Sequence, residues 1–188
     1  MYTTNRIDIS GPSGNLDGFI CVPAEKELRS CVVICHPHPL MGGNMQNNIV
    51  KAINNRLVAF GIGSLTFNFR GVGSSHGSYD EGIGETEDTI AAIDYVISNY
   101  KVEPNQVGVA GYSFGAKVAL DTTKCSSTIR PICLVGLSDF DKAVCDRIQT
   151  DIPLALIVGG RDKPINQQLI NILGSKLRIP PQIHTIDV

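Results

Sequence analysis

The sequence predicts an α/β protein, with a mostly parallel central sheet and helices on both faces. Three observations predict it. Short unbroken apolar runs such as Cys31-Val32-Val33-Ile34-Cys35 and Leu154-Ala155-Leu156-Ile157-Val158 suit strands buried on both sides. Stretches with helical period alternate with these runs. Glycine-rich loops follow the runs, where an open parallel sheet places its site.

The elements follow in order. Residues 5–9 and 16–22 read as two strands joined by Ser10-Gly11-Pro12-Ser13-Gly14-Asn15, a turn cluster. The strand at 31–35 runs into His36-Pro37-His38-Pro39-Leu40-Met41-Gly42-Gly43-Asn44, where the prolines forbid further pairing. A helix is expected over about 45–60, with Ile49, Val50, Ile53, Leu57, Val58 and Phe60 on its apolar side and Gly61 and Gly63 as stops. Residues 64–69 form the next strand and open into Arg70-Gly71-Val72-Gly73-Ser74-Ser75-His76-Gly77. A helix follows over about 84–99, and Glu85, Glu87 and Asp88 suit its positive end. Further strands are expected at 107–110, 132–137, 154–158 and 182–188, with a helix opened by Pro164 and running to about Leu177.

One stretch carries the chemistry. Gln106 to Leu120 reads as strand, turn, helix, and the turn holds Gly111-Tyr112-Ser113-Phe114-Gly115. G-x-S-x-G in that context is the spacing of a nucleophile elbow, which lifts a serine hydroxyl out of the sheet. Glycines two before and two after the serine keep Cβ atoms out of a tight reversal. The helix N-terminus then offers free amides to developing negative charge.

Bulk properties narrow the function classes. Apolar residues make up 43% and charged residues 18%, a globular rather than disordered balance over a length of one domain, 1–188. Net charge is −2 with no basic block, so neither nucleic acid nor an anionic membrane is an expected partner. No run of 18 apolar residues is present, and Met1 to Arg6 lacks the apolar core of a signal peptide. The six cysteines fall mostly within apolar runs and show no C-x-x-C spacing. Reduced cysteines and a cytoplasmic location are the corresponding expectations.

The loop at 36–43, Phe67-Asn68-Phe69-Arg70-Gly71-Val72-Gly73-Ser74-Ser75-His76-Gly77, Gly82-Ile83-Gly84-Glu85, Gly111 to Ala116 and Gly159-Gly160-Arg161-Asp162 stand in this order over about residues 30–165. Together they resemble the α/β-hydrolase superfamily, and within it the dienelactone-hydrolase-like group of predicted esterases. The resemblance implies an α/β-hydrolase fold, a serine nucleophile, an acid after a late strand and a histidine after the last strand. No large lid domain is expected, because no long insertion precedes Asp162.

Ser113 maps onto the nucleophile and Asp162 onto the acid that orients the histidine. Asp162 also suits a helix cap, and Asp139 is the fallback acid. The oxyanion hole needs two backbone donors. One is the amide of Phe114; the other comes from the 36–43 loop, where Pro37 and Pro39 have none and His38 is preferred to Leu40. His36-x-His38 also has the look of a metal pair, but no third ligand is suggested, so neither metal nor cofactor is expected. Arg70 either clamps a substrate carboxylate or braces its loop through backbone carbonyls, with the bracing role preferred. The histidine is the difficulty. His184 falls within the last strand rather than after it, so the base is expected beyond Val188, together with a closing helix. The expected function is a serine hydrolase acting on a carboxylic ester or related small acyl substrate. The alternatives are a catalytically incomplete fold that binds a ligand or partner, and a peptidase or thioesterase.

Overall fold

A computed structural model describes residues 2–24, 27–125, 129, 131–137, 152–159 and 179–187. Eight strands form one sheet in the order β1-β2-β4-β3-β5-β6-β7-β8. β1 (Tyr2–Gly11) and β2 (Gly14–Pro23) pair antiparallel from Tyr2↔Pro23 to Gly11↔Gly14, and β2 pairs antiparallel with β4 (Gly63–Phe67). The other neighbours, β4 with β3 (Cys31–Cys35), β3 with β5 (Val107–Tyr112), and then β6 (Ile132–Val135), β7 (Leu154–Gly159) and β8 (Gln182–Ile186), are parallel. The hairpin ladder is longer than the sequence suggests. Pro12 and Ser13 alone make the turn, because Gly14 takes φ 112°, open to glycine and strained for other residues.

The helices cover both faces. α2 (Ile83–Tyr100) and α3 (Phe114–Cys125) supply Ala92, Ile93, Val96, Ala116, Val118 and Ala119 to one core cluster with Cys31, Val33, Cys35, Leu65 and Phe67. Ile34 is buried but outside that cluster, as is Val50 of α1 (Asn48–Ala59). Successive strand residues point to opposite faces, so α1 covers the second one. α1 differs from the sequence expectation. It starts three residues later, where the Asn47 side chain caps the amide of Ile49 at 2.9 Å. That phase leaves Ile49 exposed and puts Phe60 at the C-cap, outside the core, under the Arg56 guanidinium at 4.5 Å. Asn54 takes an inward place, accepting from Ser64 Oγ at 2.6 Å.

β3 spans the residues expected, while β4 and β6 end two residues early. No helix among the described residues is long and apolar enough to cross a membrane. Cys21, Cys31, Cys35, Cys125 and Cys133 are free thiols, and burial pushes those of Cys31 and Cys35 up to about 12. The helix expected over 164–177 lies outside the described residues.

Candidate active site

β5 ends at Tyr112 and α3 begins at Phe114, so Ser113 alone makes the reversal. It has φ 54°, in the left-handed region. A residue with a side chain pays about 1–2 kcal/mol there. The neighbours hold it. The Ser113 amide donates to the Val135 carbonyl at 2.9 Å, carrying the β5–β6 ladder one residue past the strand. The Ser113 carbonyl accepts from Ala116 at 2.9 Å and Lys117 at 3.3 Å, so the helical ladder starts at once. A Cβ on Gly111 would run into the Gly115 carbonyl, and one on Gly115 into the carbonyl oxygens of Cys35 and His36. These two glycines let strand, helix and the end of β3 meet at backbone contact. The Phe114 amide heads α3 and lies outside its i→i−4 ladder.

The loop after β3 is fixed by its two histidines in different ways. His36 is fully buried, its Nδ1 2.6 Å from the Pro37 carbonyl while its Nε2 accepts the Phe69 amide at 3.1 Å. The proton is therefore on Nδ1, donated to Pro37, and the ring is neutral. Burial pushes its pKa down to about 4. With both nitrogens engaged His36 has no lone pair for a metal, and no cluster of three or more metal-ligating side chains occurs among the described residues. His38 caps a single 3₁₀ turn, Pro39–Met41, that sequence patterning does not reveal. Its Nδ1 accepts the Leu40 amide at 3.2 Å, and its ring lies against Phe114 at 4.9 Å between centroids. Of the two amides considered for the oxyanion hole, Leu40 is thus committed locally. The amide of His38 is the candidate that remains.

The second glycine-rich loop is braced from beneath. Arg70, 5% exposed, meets Asp88 through Nε at 3.1 Å and Nη2 at 2.8 Å, and its amide donates to Asp88 Oδ2 at 3.0 Å. Its guanidinium lies where a Cβ on Gly84 would be. Arg70 is consumed inside the fold, as a brace. Ser75 Oγ accepts the Asp17 amide at 3.0 Å and donates to the Asn68 carbonyl at 2.7 Å.

Residues 15–130 match the family model described as X-Pro dipeptidyl-peptidase (S15 family). Residues 77–188, more than half of the chain, match the model of the dienelactone hydrolase family. This chain belongs to the dienelactone hydrolase family. An α/β serine hydrolase homologue from Coxiella burnetii is 29% identical with TM-score 0.82, covering 97% of this chain and 86% of that one. An α/β serine hydrolase without lid from Xanthomonas campestris is 26% identical with TM-score 0.81, covering 98% and 84%. An uncharacterized protein of Rickettsia prowazekii is 38% identical over 117 residues, 61% of this chain and 48% of that protein. The chain spans about half the length of that curated relative.

Asp162 and Asp139 lie outside the described residues; β7, which precedes Asp162, is the second strand from β5. His184 is exposed within β8. Tyr112 pairs with Val135, Val135 with Ile157 and Ile157 with His184. His184 therefore stands level with the end of β5 but three strands away, about 14 Å at ordinary strand spacing. His76 is exposed and sits at the β1–β2 turn, its amide donating to the Asn15 carbonyl at 2.9 Å. Tyr79 is the residue that sequence patterning misses. Its hydroxyl is 3.3 Å from His38 Nε2, and its ring lies 5.8 Å from that of Phe114. A single aromatic in a polar, glycine-rich loop carries no signal of that contact.

Proposed function

We propose that this member of the dienelactone hydrolase family is a serine hydrolase that cleaves a carboxylic ester or related acyl bond of a small molecule. Ser113 Oγ attacks the carbonyl carbon as a histidine takes its proton, and Asp162 orients that histidine. The amides of Phe114 and His38 receive the oxyanion. The histidine then protonates the leaving group, and water, deprotonated by the same base, releases the acyl group. No cofactor takes part. His184, the histidine in this part of the sequence, lies within β8 and is exposed.

The observation that carries the proposal is Ser113 at φ 54° between two glycines that admit no side chain. A non-glycine residue persists in that conformation where its surroundings enforce it, and such strain clusters at active sites. The rim supports an apolar acyl group. Leu40 and Met41 follow His38, Ile83 follows Gly82, which lies beside the Phe114 ring, and the three are 72%, 84% and 70% exposed.

A p-nitrophenyl ester series from acetate to octanoate tests this with the natural full-length protein. The rate constant kcat/KM rises with chain length by up to about fourfold per methylene that the rim buries. Ser113→Ala abolishes turnover. The absence of Ser113-dependent turnover across the series would instead favour a fold that only binds its ligand, to which the position of His184 already lends weight. Because the S15 family model covers residues 15–130, an X-Pro p-nitroanilide belongs in the same panel. Faster cleavage of that amide than of every ester would move the assignment to a peptidase.

A further inference from the structure

Three loops meet at the carboxyl edge of the sheet through three rings. His38 comes from the loop after β3, Tyr79 from the loop before α2, and Phe114 from the first turn of α3. The His38 ring lies 4.9 Å from Phe114 and 5.0 Å from Tyr79. Its polar contacts fix its protonation pattern. The Leu40 amide can only donate, so Nδ1 accepts and carries no proton in the neutral ring. The proton is on Nε2, which donates to Tyr79 Oη at 3.3 Å. The imidazole is thus held at both nitrogens and packed against two tilted rings. The two amides assigned to the oxyanion hole belong to His38 and Phe114, whose side chains lie against each other.

We propose that Tyr79 is a positioning residue for the oxyanion hole, acting through the His38 ring to hold the His38 amide against that of Phe114. This rests on the serine hydrolase function proposed above. Tyr79 touches no reacting atom. The Leu40 amide sets the Nε2–H tautomer of His38, the Tyr79 hydroxyl accepts from that Nε2–H and fixes the ring in place, and the Leu40 contact sets the turn that presents the His38 amide. An oxyanion donor acts only where charge develops, so loosening it lowers kcat and leaves ground-state binding alone.

Tyr79→Phe keeps the ring and removes only the hydroxyl. With p-nitrophenyl acetate the variant loses about tenfold in kcat, less than the hundredfold or more for deleting a donor outright, while KM stays within about twofold. The side-chain ¹⁵N signals of His38 show one neutral tautomer, protonated at Nε2, in the natural protein and a mixture in the variant. A Tyr79→Phe protein with unchanged kcat overturns the positioning role, and so does a His38 protonated at Nδ1 in the natural protein, a result that does not depend on how the variant folds. Loss of kcat and KM together with a lowered melting temperature assigns Tyr79 to packing and also overturns it. A natural protein that turns over neither the esters nor the X-Pro anilide overturns the serine hydrolase function itself, and this proposal with it; that outcome is distinct from active protein indifferent to Tyr79→Phe.

Discussion

His36 Nε2 accepts the Phe69 amide at 3.1 Å, across the carboxyl ends of the neighbouring strands β3 and β4. Its other nitrogen holds the Pro37 carbonyl, and its ring lies 4.5 Å from that of Phe69. The first of the paired histidines is therefore a strut that joins the loop after β3 to the loop after β4.

This strut makes stability depend on pH. Burial lowers the His36 pKa from 6.5 to about 4, so only the neutral ring suits the fold. The unfolded chain binds the proton first as pH falls. The contribution is complete above about pH 6.5, declines as pH drops toward 4, and is then gone, about 3 kcal/mol in all. Urea unfolding between pH 7.5 and 4.5 measures it, and His36→Gln should flatten the curve over that window. Parallel curves for the two proteins would remove His36 as the cause.

Arg70 and Asp88 predict a contrast between two carboxylates on one guanidinium. The Asp88 side chain is fully buried, while that of Glu87, 3.3 Å from the same Arg70 Nη2, is 55% exposed. Asp88→Ala leaves the buried guanidinium with only the exposed carboxylates of Glu87 and Asp80 and leaves the Arg70 amide without its acceptor, and should cost about 3 kcal/mol. Glu87→Ala should cost less than about 1 kcal/mol. Replacing both members, Arg70→Met with Asp88→Leu, should be milder than Asp88→Ala alone. Chemical denaturation of the four proteins checks the order.

Ser113 predicts an opposition of stability and activity. Ser113→Gly relieves the left-handed strain and should raise stability by up to about 1 kcal/mol, net of the entropy glycine adds to the unfolded chain. It should also remove ester turnover, because no hydroxyl remains. Ser113→Ala keeps the strain and should lose activity without that gain. Melting temperatures of the two variants at one pH separate them.

The parts of this arrangement legible from sequence were those that use the most local rules. β3 and β5 are short and buried on both faces, so composition alone marks them. The elbow follows from glycine spacing between a strand and a helix. The bracing role of Arg70 is legible, but its partners are not: the guanidinium meets the carboxylates of Asp88 and Glu87, not the backbone carbonyls that its loop position suggests. The offset of α1 escaped because Asn47 sets the helix phase through one side-chain bond that periodicity does not contain. His36 and His38 look alike in a string of letters, and they diverge only through partners distant in sequence, Phe69 for one and Tyr79 for the other. The placement of His184 required the register across β5 to β8, which no local pattern encodes.

The most direct measurement is covalent labelling of the natural full-length protein with a fluorophosphonate, followed by mass spectrometry of its peptides. An activated serine at the elbow predicts one adduct, on the peptide that contains Ser113, absent from Ser113→Ala. No adduct, or one that persists in Ser113→Ala, would contradict Ser113 as the nucleophile.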